Sequence, residues 1–287
     1  MLIFRKASDI THYLLQLREK GSVSGFVPTM GALHTGHISL IDKAQASCDL
    51  VICSIFVNPT QFNDPEDFKK YPVTIEQDIY MLEKAGCDVL FLPSVTEMYP
   101  EATGQHTQVH YDIGYLESVL EGAYRPGHFQ GVCTIVHKLL DIIQPDKLFM
   151  GQKDYQQCMV IKKLLVLINS PARLIVSETL REPNGLAMSS RNQRLSEEER
   201  KLAAGIFETL QYIGTHVQPG PLGPLLLHAE QMLKEKKLDP DYMVVANADT
   251  LEVLDVWDGV TGIVALAAAY MGKVRLIDNL TLPRNFA

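Results

Sequence analysis

The run Leu50-Val-Ile-Cys-Ser-Ile-Phe-Val57 constrains this chain more than any other stretch. Eight residues with no polar alternation cannot lie half exposed as an antiparallel edge does. They read as a strand buried on both faces, which is the signature of a parallel sheet covered by helices on either side. The surrounding sequence agrees. Apolar runs at Ser22 to Val27, Asp88 to Leu92, Asp146 to Met150 and Arg173 to Val176 alternate with helical patterns at Ser8 to Glu19, Ile38 to Cys48, Thr74 to Lys84, Phe129 to Ile143 and Tyr155 to Ile168. Strand–helix alternation of this kind makes right-handed crossovers and places ligands at the carboxyl ends of the strands.

Two loops fall at such ends. The first is Pro28-Thr-Met-Gly-Ala-Leu-His-Thr-Gly-His37, between the strand ending at Val27 and an amphipathic helix. A helix start offers unpaired backbone N–H groups and a partial positive charge, which suits phosphate. His34 and His37, three apart, project from nearly one face of a first turn, where two imidazoles can donate to one phosphate. The second is Asn58-Pro-Thr-Gln-Phe62, whose Gln61 is a neutral side chain with both donor and acceptor.

Three further segments bear chemistry. Gly151-Gln-Lys-Asp154 sits where a strand gives way to a helix. Lys153 suits phosphate and Asp154 suits ribose hydroxyls, although a solvated Lys-Asp pair at a helix start has the same sequence. Met188-Ser-Ser-Arg191 reads as a mobile, polar loop with two hydroxyls and a guanidinium, suited to a multiply charged oxyanion or to a solvated linker before a helix cap. Arg125-Pro-Gly-His128 reads as a turn delivering Arg and His to a helix start, or as a plain surface turn. Gln108 to Tyr111 reads as a short strand.

After residue 178 the rhythm changes. Ser196-Glu-Glu-Glu199 is a capping box opening a helix. A second helix covers Pro224 to Lys236. Strand-like segments at Tyr242 to Ala246, Ile263 to Ala267 and Val274 to Asp278 follow without alternation, as in a small α+β domain. The reading is therefore a parallel-sheet α/β domain over residues 1–178 and a smaller α+β domain over residues 179–287.

Net charge and cysteine content narrow the function. A formal charge of −8 argues against a nucleic-acid or membrane-surface partner. The first residues, Met1-Leu-Ile-Phe-Arg-Lys6, lack an apolar core of signal-peptide length, and no apolar run approaches a membrane span. Five cysteines without a Cys-x-x-Cys pair fit reduced thiols in a cytoplasmic protein. No Walker loop and no Gly-x-Ser-x-Gly occurs.

Taken together, Pro28–His37, Phe56-Val-Asn-Pro-Thr-Gln-Phe62, Arg125-Pro-Gly-His-Phe129, Lys153-Asp-Tyr-Gln-Gln157, Gly185-Leu-Ala-Met-Ser-Ser-Arg-Asn192 and Arg275-Leu-Ile-Asp-Asn279 resemble the pantoate–β-alanine ligases, a family of the His-x-Gly-His nucleotidylyltransferases. The matches run in order through both domains. The resemblance implies a Rossmann-like domain that binds ATP and pantoate, a C-terminal lid that closes on substrate, and a homodimer. It implies a two-step reaction: pantoate and ATP, with Mg2+, give pantoyl adenylate and pyrophosphate, and β-alanine then gives pantothenate and AMP.

By position, the resemblance assigns catalysis to His34, His37, Lys153 and Arg191. It assigns ATP binding to Met30, Gly31, Ala32, Leu33, His34, Thr35, Gly36, His37, Gly151, Gln152, Lys153, Asp154, Leu180, Met188, Ser189, Ser190 and Arg191. Gln61 and Gln157 should hold pantoate, with Gln61 also near β-alanine, and no side chain is assigned to metal. Two positions depart from the family pattern: Gln152 stands where Glu is usual, and Val73 where Arg is usual. The rival readings are a sister nucleotidylyl transferase with another acid and a nucleotide-binding protein without turnover.

Overall fold

The computed structural model describes residues 1–62, 68–100 and 109–282. It divides into two compact units, one of residues 1–151 and 156–177, the other of residues 152–155 and 178–287.

The first unit is built on six strands: β1 (Leu2–Phe4), β2 (Ser24–Thr29), β3 (Leu50–Ile55), β4 (Val89–Phe91), β5 (Lys147–Gly151) and β6 (Arg173–Ser177). All pairings are parallel and the order is β1-β4-β3-β2-β5-β6. The chain therefore winds outward from β2 through β3 and β4, then returns to place β5 on the other side of β2. That reversal leaves a crevice at the carboxyl ends of β2 and β5, where doubly wound sheets bind ligands. Helices α1 (Ala7–Arg18), α2 (Thr35–Gln45), α3 (Ile75–Lys84), α4 (His128–Ile143) and α5 (Tyr155–Leu167) accompany the sheet.

Strand β3 shows why its sequence does not alternate. Leu50, Ile52 and Phe56 join a core with α1 and α4, including Ile10, Leu14, Phe129 and Leu139. Val51, Cys53 and Ile55 join a second core with α2 and α3, through Leu40, Ile41 and Leu82. Side chains pointing alternately to two covered faces are apolar along β3 except for the buried Ser54.

Three expectations change. The sheet begins not at residue 22 but with β1, a three-residue edge strand too short to carry a periodic signal. Tyr111 is not in a strand: the Gln130 amide donates to its carbonyl at 2.9 Å and accepts from its N–H at 3.0 Å, serving both groups as a neighbouring strand would. Val109 and His110 are likewise outside any strand, and Gln108 lies outside the described residues. The helix opened by Ser196 is interrupted. Its segments are α6 (Glu197–Ala203) and α7 (Gly205–His216), before α8 (Gly223–Glu235).

The second unit pairs strands β7 (Leu238–Asn247), β8 (Ile263–Met271) and β9 (Val274–Leu282) antiparallel, in the order β9-β8-β7. Ile263, Ala265, Ala267, Ala269 and Met271 of β8 pack with Ile206, Leu210 and Ile213 of α7 and Leu233 of α8. The small alanines keep the layers close.

Candidate functional site

The segment after β2 is held from several directions. The Thr29 hydroxyl donates to the Ser54 carbonyl of β3 at 2.7 Å and accepts from the Gly31 N–H at 3.2 Å. Gly31 (φ 82°) and Ala32 (φ 48°) both take left-handed backbone, which turns the chain sharply. Asp78, buried in α3, accepts from the N–H groups of Ala32 at 3.0 Å and Leu33 at 2.8 Å, and from the Thr74 hydroxyl at 3.0 Å. A Cβ at Gly31 would stand 3.1 Å from that carboxylate.

Reading the sequence alone misses this brace. A signal for it exists, since Asp78 shares the buried face of α3 with Leu82, four residues on. A lone carboxylate on an apolar face needs partners, and here they are backbone donors.

His34 caps α2 and His37 occupies its third position. Their ring centroids lie 4.1 Å apart. The Gly36 N–H donates to His34 Nδ1 at 3.1 Å, and the His34 N–H to His37 Nδ1 at 3.4 Å. Because backbone N–H groups only donate, both Nδ1 atoms act as acceptors. The bonding thus assigns the proton of each neutral ring to Nε2. Two adjacent N–H donors of fixed tautomer at a helix start are an oxyanion site in form.

Gln61 closes a short helical turn, Pro59–Gln61. Its Nε2 lies 2.8 Å from Met30 Sδ, so the two loops at the strand ends meet. Asn58, also buried, accepts from Tyr99 Oη at 2.8 Å and Thr60 Oγ1 at 3.1 Å, and donates to the Gly131 carbonyl at 3.2 Å. Its sequence context marks it only as part of a loop.

On α5, neighbouring glutamines have separate tasks. Gln156 is buried and bonded to the carbonyls of Leu116 and Val119 and to the Glu121 N–H. The half-buried Gln157 side chain has no hydrogen-bond partner among the described residues. At Gly151 a Cβ would meet no atom within 4 Å, so packing does not demand the glycine.

The second unit gathers its own set. Asn279 Nδ2 donates to the carbonyls of Gln152 and Lys153, each at 2.9 Å, while its Oδ1 accepts from Gln152 Nε2 at 3.2 Å. The backbone of Gln152–Asp154 is thereby pinned. The Lys153 ammonium has no ion pair among the described residues, and Asp154 is exposed.

Beside Asn279, Asp278 is buried in a two-pronged pair with Arg181, whose guanidinium also stacks 3.6 Å from the Phe207 ring centroid. Burial pushes the Asp278 carboxyl up, opposed by the guanidinium. Leu180 receives the Met188 N–H on its carbonyl at 3.0 Å.

The Met188–Arg191 segment is more built than a solvated loop. Ser190 and Asn192 are buried, and a helical turn spans Ser190–Arg194. Ser189 Oγ caps it on the Arg191 N–H at 3.3 Å, and Asn192 Nδ2 donates to Glu182 Oε1 at 2.9 Å. Asn192 and Glu182 are separated by a turn, a proximity no local pattern shows. The sequence-derived site residues thus form two sets. Met30 to His37 and Gln61 come together in the first unit, with Gly151 and Gln157 on β5 and α5. Gln152 to Asp154, Leu180 and Met188 to Arg191 belong to the second.

A doubly wound sheet with paired imidazoles at a helix start beside its switch point defines the first unit as an α/β nucleotide-type domain. The family model for pantoate-β-alanine ligase matches residues 2–281, and the chain belongs to that family.

A pantothenate synthetase of Cytophaga hutchinsonii is 43% identical over 287 residues, covering 98% of this chain and 99% of the relative. The crystal structure of pantothenate synthetase from Thermus thermophilus is similar with a TM-score of 0.89 at 38% identity, over 99% of this chain and 100% of that one. A pantoate-β-alanine ligase from Francisella tularensis, complexed with β-γ ATP and β-alanine, has a TM-score of 0.80 at 38% identity, over 98% and 97% of the two chains.

Proposed function

We propose that this chain condenses pantoate with β-alanine at the expense of ATP, through a pantoyl adenylate. The family match over both units supports the reaction. The observation that carries the reading to chemistry is the His34/His37 pair, two Nε2–H donors held side by side at the start of α2.

A carboxylate resists attack by an amine until one oxygen becomes a leaving group. In the first step the pantoate carboxylate attacks the α-phosphorus and pyrophosphate departs. In the second, the β-alanine amine attacks the acyl carbon and AMP departs. His34 and His37 donate to phosphate oxygens, with His37 stabilising or protonating the departing oxygen. Lys153, Ser189, Ser190 and Arg191 offset the growing negative charge, a preorganised electrostatic role. Met30, Gly31, Ala32, Leu33, Thr35 and Gly36 shape the nucleotide cradle. Gly151 and Asp154 take the ribose, with Gln152 beside them. Leu180 and Met188 take the base side. Gln61 and Gln157 hold pantoate, and much of the acceleration comes from aligning bound reactants and excluding water.

In this reading magnesium arrives with the nucleotide substrate, as the family resemblance implies. No described helix is long and apolar enough to cross a membrane. A homodimeric, cytoplasmic enzyme whose C-terminal unit closes on substrate completes the proposal.

The test is pantoate-dependent exchange of labelled pyrophosphate into ATP with β-alanine left out. Exchange that requires pantoate, followed by pantothenate and AMP on adding β-alanine, supports both steps. ATP binding without exchange overturns the reading.

A further inference from the structure

We propose that Arg125 and His128 are positioning residues for pantoate, acting through the backbone of Gln61. The inference rests on the reading of Gln61 as a pantoate ligand.

Arg125-Pro-Gly-His128 forms the turn into α4. Gly127 takes φ 79°, and the His128 N–H returns to the Arg125 carbonyl at 3.0 Å, which sets both side chains on one side. His128 is 5% exposed, and its Nδ1 lies 2.7 Å from the Gln61 carbonyl oxygen. A carbonyl only accepts, so Nδ1 carries the proton. Arg125 Nη1 lies 3.2 Å from His128 Nε2 and Nη2 lies 3.4 Å from the same Gln61 carbonyl. A guanidinium only donates, so Nε2 is an acceptor. The imidazole is neutral, with its proton on Nδ1, the opposite tautomer to His34 and His37.

Two donors on one carbonyl hold the Gln61 peptide against α4. The contact is close elsewhere too, because a Cβ at Gly131 would run into the Thr60 carbonyl. The network then leads onward. Glu121 Oε2 lies 3.8 Å from Arg125 Nη1, and the Glu121 N–H donates to Gln156 Oε1 at 3.0 Å. One chain of polar contacts therefore runs from the peptide of Gln61 to the residue beside Gln157, linking the two glutamines assigned to pantoate. The Gly31–Leu33 turn is held by different atoms, Thr29 and Asp78. Loosening His128 should consequently disturb pantoate and spare ATP.

The experiment compares His128→Leu, His128→Asn and Gln61→Ala with the parent enzyme in the pantoate-dependent exchange assay. His128→Leu keeps bulk and removes both polar contacts. His128→Asn restores an N–H near the position of Nδ1. The expected result is a rise of about tenfold in the KM for pantoate in His128→Leu, with the KM for ATP changed by less than about twofold, and substantial rescue in His128→Asn. A role in folding alone would lower the melting temperature and the active fraction without separating the two substrates.

A folded His128→Leu enzyme with unchanged pantoate KM, or with equal rises for both substrates, overturns the proposal. Should that variant fail to fold, Arg125→Gln carries the same comparison, since the Arg125 side chain is 26% exposed. If Gln61→Ala leaves the pantoate KM unchanged, the proposal falls with it and the fault lies in the reading of Gln61. If Gln61→Ala raises it and the His128 and Arg125 variants do not, only the positioning role is lost.

Discussion

The carboxylate of Asp78 accepts the backbone N–H of Leu33 at 2.8 Å, joining residues 45 apart in sequence. Its other oxygen takes the N–H of Ala32, so one buried side chain satisfies two donors of the turn that precedes His34. The left-handed backbone at Gly31 and Ala32 persists because something outside it supplies those bonds.

Asp78→Ala should strand both donors in a buried site. A loss of about 3 kcal/mol in unfolding free energy is expected, from roughly 1–3 kcal/mol for each unsatisfied group. Urea unfolding measures it. The KM for ATP should rise more than that for pantoate, and equal effects on the two would remove Asp78 from the support of the nucleotide turn.

His34 and His37 combine capping with the proposed chemistry, and substitution can separate the two. Asn is among the best N-cap residues, so His34→Asn should keep the start of α2 and its stability within about 1 kcal/mol. The Nε2 donor is lost, and pyrophosphate exchange should fall by about a hundredfold or more. His37→Ala should lose exchange to a similar degree with an unchanged circular dichroism spectrum. Near-parental exchange in either folded variant would show that its imidazole does not act on the nucleotide.

The family resemblance implies Glu at the position where this chain has Gln152. In this chain its amide donates to Asn279 Oδ1, and Asn279 cannot turn over without giving up two carbonyls. Gln152→Glu would set a carboxylate against that oxygen. A destabilisation of about 1 kcal/mol is expected in urea unfolding, as for a lost, partly buried hydrogen bond. A neutral or stabilising outcome would show that the Asn279 amide reorients.

The thiols predict a pH dependence. Burial pushes Cys53 well up and raises Cys87 and Cys133 from 9.0 to about 12, and it moves Tyr99 and Tyr111 in the same direction. Above pH 9 the unfolded chain releases these protons while the native chain keeps them, so the native state binds more protons and stability falls as pH rises. The effect is absent below the ordinary thiol range and grows from about pH 9 towards 12. Urea midpoints at pH 8 and 10 check the sign. On native protein at pH 8, iodoacetamide followed by mass spectrometry should label the half-buried Cys48 ahead of the other four cysteines.

The amino-acid sequence by itself determined the parallel sheet, because a strand buried on two faces carries no polar alternation, and Leu50–Phe56 has Ser54 as its one hydroxyl. It also determined that a glycine-bearing turn carrying His34 and His37 opens a helix, and that the chain has the ordered motifs of its family. The first two are local facts of periodicity and capping, and the third is a resemblance carried by the order of the motifs. Tertiary structure decided what holds them. Asp78 reaches Leu33, Asn279 reaches Gln152 and Lys153, and His128 reaches the Gln61 carbonyl only after the chain has folded. It likewise separated Gln156, consumed by backbone partners, from Gln157 beside it. A polar side chain advertises its capacity to bond, but its partner is chosen by packing across tens of residues, and no periodicity encodes that choice.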